Sequence, residues 1–264
     1  MIKVGCCGWA IKGGMAAYFK QFNVIEIQST FYSLPMFSTI ESWRRAAPRG
    51  FEFTMKAWQA ITHPISSPTW KRASSKISFD NPANVGSFKP TEENFRAWRD
   101  TKEIYKRLGA SVCVLQSPPS FRCTPENISN ISGFLEAVDM GDMVVGWEPR
   151  GDWLKHSDSI NDICERFKLV HIVDPFRGET LTRHGPVYFR LHGIGSGEVN
   201  YGYKYSDSDL RTLLIRTSRI ISADRGTYVM FNNVSMATDA TRFKEMVRHQ
   251  FKNNRRNTEL RMER

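Results

Sequence analysis

Eight short apolar runs recur along this chain. Each ends on groups a hydrophobic core would not select. The runs occupy residues 3–7, 23–30, 51–57, 111–116, 143–148, 169–174, 187–192 and 227–232. They finish on Gly8-Trp9, Glu26-Ile27-Gln28, Lys56-Ala57-Trp58, Gln116, Glu148-Pro149-Arg150, Asp174, Arg190-Leu191-His192 and Asn232-Asn233. Between most of them lie stretches with helical spacing, at 15–21, 39–47, 91–108, 125–138, 153–167, 207–221 and 237–250. Local punctuation supports these boundaries: Pro48 and Gly50 stop one helix, while Thr91, Glu92 and Glu93 cap and charge the start of another that halts at Gly109. Eight strands alternating with helices predict an α/β protein, a single (β/α)8 TIM barrel over residues 1–250, with 251–264 as a basic C-terminal tail. In such a barrel the active site lies at the carboxyl ends of the strands, so the polar endings mark candidate chemistry.

Side-chain parity sorts each strand into two faces. Ile25 and Ile27 oppose Glu26 and Gln28; Phe51, Phe53 and Met55 oppose Glu52, Thr54, Lys56 and Trp58; Val187, Phe189 and Leu191 oppose Tyr188, Arg190 and His192. The apolar set belongs under the helices and the polar set inside the barrel. Strands five and eight follow the rule more weakly. In strand six His171 and Asp174 differ in parity, and Asp174 is assigned inward as the terminal residue before Pro175. The expected cavity lining is therefore Glu26, Gln28, Lys56, Trp58, Gln116, Glu148, Arg150, Asp174, Arg190, His192 and Asn232. A self-neutralising structural network of three carboxylates and three cations is the competing reading.

Two connections depart from an ideal barrel. Residues 59–90 form a strand-to-helix connection far longer than usual, the form taken by lids and binding loops. It carries His63, Lys71, Arg72, Lys76 and Lys89 against Asp80, interleaved with Trp70, Phe79 and Phe88. Trp70, Lys71, Arg72 and Lys76 are the candidate nucleic-acid contacts, by base stacking and phosphate pairing; a solvated face anchored by aromatics is equally consistent. Residues 193–205, rich in Gly and Tyr, follow strand seven. The connection between strands six and seven, containing Arg177-Gly178-Glu179, has little helical character.

Composition adds a charge bias. Among 264 residues, 37 Lys and Arg face 27 Asp and Glu, a formal net charge of +10, which favours a polyanionic partner or simple solubility. A hydrophobic content of 41% is that of a globular protein. The five cysteines, Cys6, Cys7, Cys113, Cys123 and Cys164, are odd in number and form no CxxC pair, so reduced thiols are expected, with Cys7 a remote candidate nucleophile. The N-terminus enters a strand without a signal-peptide layout, and no apolar stretch approaches a membrane span. A cytoplasmic location is expected; oligomeric state is left open.

Several segments resemble one family. Gly5-Cys6-Cys7-Gly8-Trp9 is similar to its GTSGW opening, residues 22–32 to FNTVEINSTFY, and Phe51-Glu52-Phe53-Thr54-Met55-Lys56 with Ile61-Thr62-His63 to F-x-F-x-x-K…TH. Residues 116–121 resemble QLPPxF, residues 188–193 YxRLHG, and residues 231–233 FNN. The family is domain of unknown function 72, also called YecE-like. The resemblance spans almost the whole chain and implies a TIM barrel without supplying a reaction. Two departures stand out: Gly151 follows Glu148-Pro149-Arg150 where the family tends to carry His, and Cys6-Cys7 replaces a small hydroxylated pair.

The candidate chemistry follows from residue type. Glu26, Glu148, Asp174 and His192 are the candidate catalytic acids and bases. Lys56, Trp58, Gln116, Arg150, Arg190 and Asn232 are candidates for holding an anionic substrate, with Arg supplying a planar fork and Lys a point charge. A divalent metal ion is conceivable on Glu26, Glu148, Asp174 and His192, although no ligand-spacing motif accompanies them and the neighbouring cations oppose it. The leading expectation is a hydrolase of phosphate-bearing substrates, a nucleic-acid phosphodiesterase or nuclease. The alternatives are a sugar or sugar-phosphate hydrolase or isomerase, and a non-catalytic nucleic-acid-binding barrel.

Overall fold

The computed structural model describes residues 2–74, 77–220 and 225–262, with side chains described through residue 250. The chain runs β1 (Ile2–Cys7), α1 (Gly14–Gln21), β2 (Val24–Ile27), α2 (Ser29–Tyr32), α3 (Phe37–Ala46), β3 (Glu52–Lys56), α4 (Gln59–Thr62), α5 (Glu92–Leu108) and β4 (Ala110–Gln116). It continues through α6 (Pro125–Ala137), β5 (Val145–Glu148), α7 (Ser157–Phe167), β6 (Val170–Val173), β7 (Val187–Leu191), α8 (Asp207–Ile220), β8 (Thr227–Phe231) and α9 (Met236–Met262). The eight strands pair in sequence order, all parallel, and β8 closes on β1. This is the (β/α)8 barrel that the alternation predicted.

Parity divides the apolar residues as the sequence pattern required. Ile25, Ile27, Phe53, Met55, Phe189, Leu191, Val229 and Phe231 pack outward under α1, α3, α8 and α9. Cys113, Leu115, Val145 and Trp147 pack outward against Trp98, Phe134 and Trp153. A separate cluster, Cys7, Val24, Val112, Val114, Val170, Ile172, Tyr188, Tyr228 and Met230, fills the barrel interior. The barrel is therefore plugged by side chains below its polar rim. The plug is tight at Gly146, where a Cβ would lie 2.5 Å from Ile172 Cδ1 and oblige that side chain to shift.

Boundaries moved where local chemistry intervened. β2 ends at Ile27, and the polar residues after it turn into α2, whose Thr30 hydroxyl donates 2.7 Å to the Lys56 carbonyl. The predicted helix 153–167 is split: a 3₁₀ turn spans Gly151–Lys155, His156 breaks it, and α7 follows. Among the described residues there is no helix between β6 and β7. α9 runs without interruption through residue 250 to Met262, so the expected tail continues the last helix; the side chains of Lys252, Arg255, Arg256 and Arg261 lie outside the described residues, as does Arg264.

The long connection after β3 is folded rather than open. It contains α4 and 3₁₀ turns at Pro68–Arg72 and Pro82–Asn84. Gly86, at φ +83°, passes so close to His63 that a Cβ would lie 2.3 Å from its carbonyl carbon. Asn94 of α5 clamps this crossing: its Oδ1 accepts from Gly86 N at 2.9 Å, and its Nδ2 donates to the carbonyls of Gly86 at 3.0 Å and Lys89 at 2.9 Å. Because Asn94 is fully buried, Asn94→Ala leaves backbone groups without partners. We expect it to lower stability by about 2–3 kcal/mol, read as a drop in the urea midpoint at unchanged slope.

Candidate active site at the carboxyl ends of the strands

Arg190 of β7 stands inside the barrel with 0% exposure. An isolated charge there would cost several kcal/mol, so its surroundings are set by its need for partners. It forms ion pairs with Glu26 of β2, at 2.9 Å, and with Glu148 of β5, and donates to Gln116 Oε1 of β4 at 3.2 Å. The parallel register places these groups at one level, with Glu26 beside Cys7 and Gln116 beside Glu148. Glu26 also accepts from Gln28 and, at 2.7 Å, from the Tyr188 hydroxyl, which in turn shares a hydrogen bond with Thr54. Of the guanidinium nitrogens of Arg190, Nε alone lacks a partner.

A second layer lies nearer the rim. Arg150 Nε donates to Glu148 Oε1 at 2.8 Å and lies 3.6 Å from Glu198 of the loop after β7. Burial works to raise the Glu148 pKa, but Arg150 and Arg190 hold the carboxyl well below the ordinary range. Arg150 Nη2 meets His192 Nε2 at 2.9 Å; since a guanidinium only donates, this nitrogen accepts and the bonding assigns the proton to Nδ1, 3.8 Å from Asp174 Oδ2. Burial keeps His192 neutral, with a pKa far below the usual imidazole value. Asp174 accepts the backbone N–H groups of His192 and Phe176, both at 2.9 Å, and burial raises its pKa.

Lys56 differs from the other cations. It closes β3 with 5% exposure, and its Nζ lies 3.5 Å from the centroid of the Phe31 ring. Among the described residues it has no carboxylate at ion-pair distance. Burial, reinforced by the positive Arg190, draws its pKa down to about 7.

Beside this cluster a cavity of ≈ 140 Å³ opens among the ends of β5, β6 and β7. Its polar lining includes Glu148, Arg150, Asp174, His192, His171 and Arg177, with Ser157, Glu179 and Glu198 beside them, against Leu154, Ile160 and Leu181. Leu181 N donates to His171 Nδ1 at 3.2 Å, so the neutral ring carries its proton on Nε2. Arg177 donates to the Gly193 carbonyl at 3.0 Å, and its buried Nε is unpartnered.

The structure thus gathers Glu26, Gln28, Lys56, Gln116, Glu148, Arg150, Asp174, Arg190 and His192 into one neighbourhood. Trp58 is not among them and its inward assignment is corrected. β3 ends at Lys56, so parity no longer governs Trp58; it packs near Phe79, ring centroids 5.7 Å apart, and lines a separate recess with Glu92, Arg96 and Asp100 of α5. Asn232 is half-buried after β8, its backbone N–H bonded to Leu191 O, and among the described residues no side-chain hydrogen bond ties it to the cluster. Trp70 folds back, its indole donating to the carbonyls of His63 and Pro64 and its ring edge-on to Phe79. Arg72 stacks on Tyr32 and donates to its hydroxyl, Lys71 is exposed, and Lys76 lies outside the described residues. Arg177 and Glu198 escaped the strand-end reading because both sit on loops. The excess of Gly and Tyr in residues 193–205 was the only hint of the second.

The proposed metal set does not fit a cation. Glu26 and Glu148 are already neutralised by guanidinium groups, His192 accepts from one, and among the described residues no three His, Cys, Asp or Glu side chains are placed to hold an ion. Cys7 is buried against Glu26 with its pKa raised well above the ordinary thiol value, so it holds its proton. The described cysteines are all free thiols. Among the described residues no helix is long and apolar enough to cross a membrane.

A closed TIM barrel with a charged rim defines the class. The chain belongs to the family described as "Protein of unknown function DUF72", whose sequence profile matches residues 4–263. It is 23% identical to the UPF0759 protein YunF of Bacillus subtilis (strain 168) over 94% of both chains. It superposes on a DUF72 family protein from Thermotoga maritima with a TM-score of 0.67 and 22% identity, covering 94% of this chain and 99% of the other. Likeness of fold alone extends to a D-tagatose 3-epimerase-like protein (TM-score 0.57, 15% identity, 97% and 99% covered). It extends also to endonuclease IV from Thermus thermophilus (TM-score 0.53, 12% identity, 94% and 99% covered).

Two outcomes follow from these geometries. Arg190→Met leaves the buried Glu26 without a cation and Glu148 with Arg150 alone, and should cost about 3–5 kcal/mol or abolish folding; adding Glu26→Gln should restore part of the urea midpoint. The second concerns acid. His63 and His171 are held by burial at about 3 and about 4. Folded-state values lie below the unfolded value near 6.5, so the unfolded chain binds protons that the folded chain does not, and stability falls as pH drops from about 6.5 towards 4. His171→Asn retains an acceptor for Leu181 N but does not titrate. It should flatten this loss by up to about 1.4 kcal/mol per pH unit, measured as ΔG of unfolding against pH.

Proposed function

We propose that this barrel is an enzyme acting on small, carbohydrate-like carbonyl compounds or their phosphates, moving a proton at the carbon beside the carbonyl as an isomerase or epimerase does. The observation that carries the reading is the size and lining of the cavity. At ≈ 140 Å³ it has room for roughly five waters, which suits a short carbon chain better than a whole nucleotide.

The roles follow from the bonding. Asp174 is the acid–base group: a carboxyl with a burial-raised pKa can take a proton from carbon and return it. Arg150 and Arg177 flank the same cavity and would stabilise the enediolate oxygen that develops. His171, with its proton on Nε2, adds a neutral donor. His192 has its Nε2 committed to Arg150, and its backbone N–H, 2.9 Å from Asp174 Oδ2, positions the acid–base group.

A phosphodiesterase is the second reading. It draws support from the +10 charge and from the likeness to endonuclease IV. Against it, Trp70 and Arg72 of the basic loop are engaged with their own loop and with Tyr32, leaving little for a strand to stack on.

The test is proton exchange in D₂O with three- and four-carbon aldoses, ketoses and their phosphates, followed by NMR, alongside labelled DNA and RNA oligonucleotides. Deuterium should enter at the carbon beside the carbonyl, and Asp174→Asn should slow this by about 10²–10⁴-fold while the fold persists by circular dichroism. Oligonucleotide cleavage without exchange into any small compound would overturn the reading.

A further inference from the structure

A second cavity, of ≈ 620 Å³, lies on the flank of the barrel between the β6–β7 connection and α8. Its floor includes Phe189, an outward-facing residue of β7. Among the described residues no helix joins β6 to β7, so this flank is covered by irregular chain rather than by a packed helix. Gly178 and Glu179 line both this cavity and the one beside Asp174, so the connection is a wall between the two. The volume falls within the range of about 300–1,000 Å³ usual for small-ligand sites.

The lining is basic. Arg216 and Arg219 of α8, Arg183 of the connection and Arg225 just before β8 contribute to it, against the single carboxylate of Glu179. Among the described residues none of these four guanidinium groups has a carboxylate at ion-pair distance, whereas exposed arginines elsewhere, such as Arg99 and Arg166, do find one. Two of the four are fixed by backbone carbonyls. Arg225 donates from Nε to Gly185 O at 2.8 Å and from Nη2 to Thr182 O at 3.1 Å. Arg216 donates to Pro175 O, with its guanidinium 5.4 Å from the centroid of the Phe176 ring. Tying loop carbonyls explains why these two are present but leaves their charge uncompensated. It does not explain Arg183 and Arg219, which are exposed and, among the described residues, have no hydrogen-bond or ionic partner. Thr180, also in the lining, has a buried Oγ1 without a partner. Such a hydroxyl can give or take a hydrogen bond from whatever fills the space. Like charges gathered round one space repel, and an anion among them removes that cost.

We propose that this cavity is a second binding site, for a small anion carrying two or more phosphate groups. The number of guanidinium forks sets the class. Each fork takes two oxygens of a phosphate at once, so two forks saturate a single phosphate and four suit a diphosphate or triphosphate. The aromatic ring in the lining, Phe189, is fully buried, so recognition rests on the phosphates rather than on a stacked base. The carboxyl end of α8 opposes an anion with about half a charge. Four cations less one carboxylate leave three positive charges in excess, which outweigh it. The site does not depend on the carbonyl chemistry proposed above.

The experiment titrates the intact protein with sodium tripolyphosphate, pyrophosphate and orthophosphate by isothermal titration calorimetry, at a constant ionic strength of about 0.15 M. Tripolyphosphate should bind at one site per chain, at least about a hundredfold tighter than orthophosphate. Arg183→Gln and Arg219→Gln each remove an unpartnered fork and should weaken it by about tenfold or more, with circular dichroism unchanged. Arg211→Gln removes the same charge from the same helix but outside the cavity lining, and should change the affinity by less than about twofold. Equal losses for Arg211→Gln and Arg219→Gln mean diffuse attraction to a basic protein and overturn the proposal. A tripolyphosphate dissociation constant above about 1 mM overturns it as well. So does a single-stranded oligonucleotide that binds through Arg219 and is not displaced by tripolyphosphate, since the occupant is then a nucleic acid.

Discussion

The fold is organised around one buried guanidinium. Arg190 lies where the barrel's apolar plug gives way to its rim, with no exposure to water. Such a charge is tolerable only if carboxylates meet it with good geometry. Glu26 and Glu148 do so from strands on different sides of the barrel, with Gln116 supplying a further acceptor. The register of β2, β4, β5 and β7 is thereby tied to one ion. A one-residue slip of any of these strands would turn its polar group under the helices and leave Arg190 short of a partner.

Charge arithmetic at the rim explains the unusual states of its neighbours. Two carboxylates, Glu26 and Glu148, are shared between two arginines, and Glu198 leans towards Arg150 from a loop. Nothing comparable is left for Lys56 among the described residues. Arginine keeps its proton under all conditions, so the group that yields is the lysine. The same field, together with burial, keeps His192 neutral and lets its Nε2 accept from Arg150. Asp174, held by two backbone N–H groups, is pushed the other way by burial. One neighbourhood therefore contains an amine and a carboxyl that both depart from their resting states towards neutrality. Such divergence is what acid–base chemistry near pH 7 draws upon.

Much of this was legible in the sequence because a strand's period is two. Parity placed Glu26, Lys56, Arg190 and His192 on the inward face, and the structure shows Gly146, Ile172 and Tyr188 in the same inward set. Parity failed at Trp58 because β3 had already ended. It also says nothing of pairing. Glu26, Glu148, Arg150, Arg190 and Lys56 read as one undifferentiated set of acids and cations, whereas three-dimensional distances show which cation is left over. The loops were opaque for another reason. Arg177 and Glu198 have no periodicity to reveal them, and their placement depends on backbone contacts such as the Arg177 bond to Gly193 O and the Gly151 N–H bond to Glu198. The basic–aromatic loop read as a binding arm, yet Trp70 and Phe79 are spent on its own packing.

The missing helix between β6 and β7 has a structural consequence. In a regular barrel that helix would draw the chain away from the rim after β6. Here Pro175 follows Asp174 directly, and Arg177 and Gly178 turn back over the strand ends, with their N–H groups bonded to the Asp174 carbonyl. The connection thus forms one wall of the cavity, and Arg177 and Leu181 come to line it. The opposite wall comes from Leu154 and Ile160, on the segment that the break at His156 divides into a 3₁₀ turn and α7. Two irregularities in an otherwise repetitive fold therefore make the space beside Asp174. Regular strands deliver the charges, and the departures from regularity supply the room for a ligand to meet them.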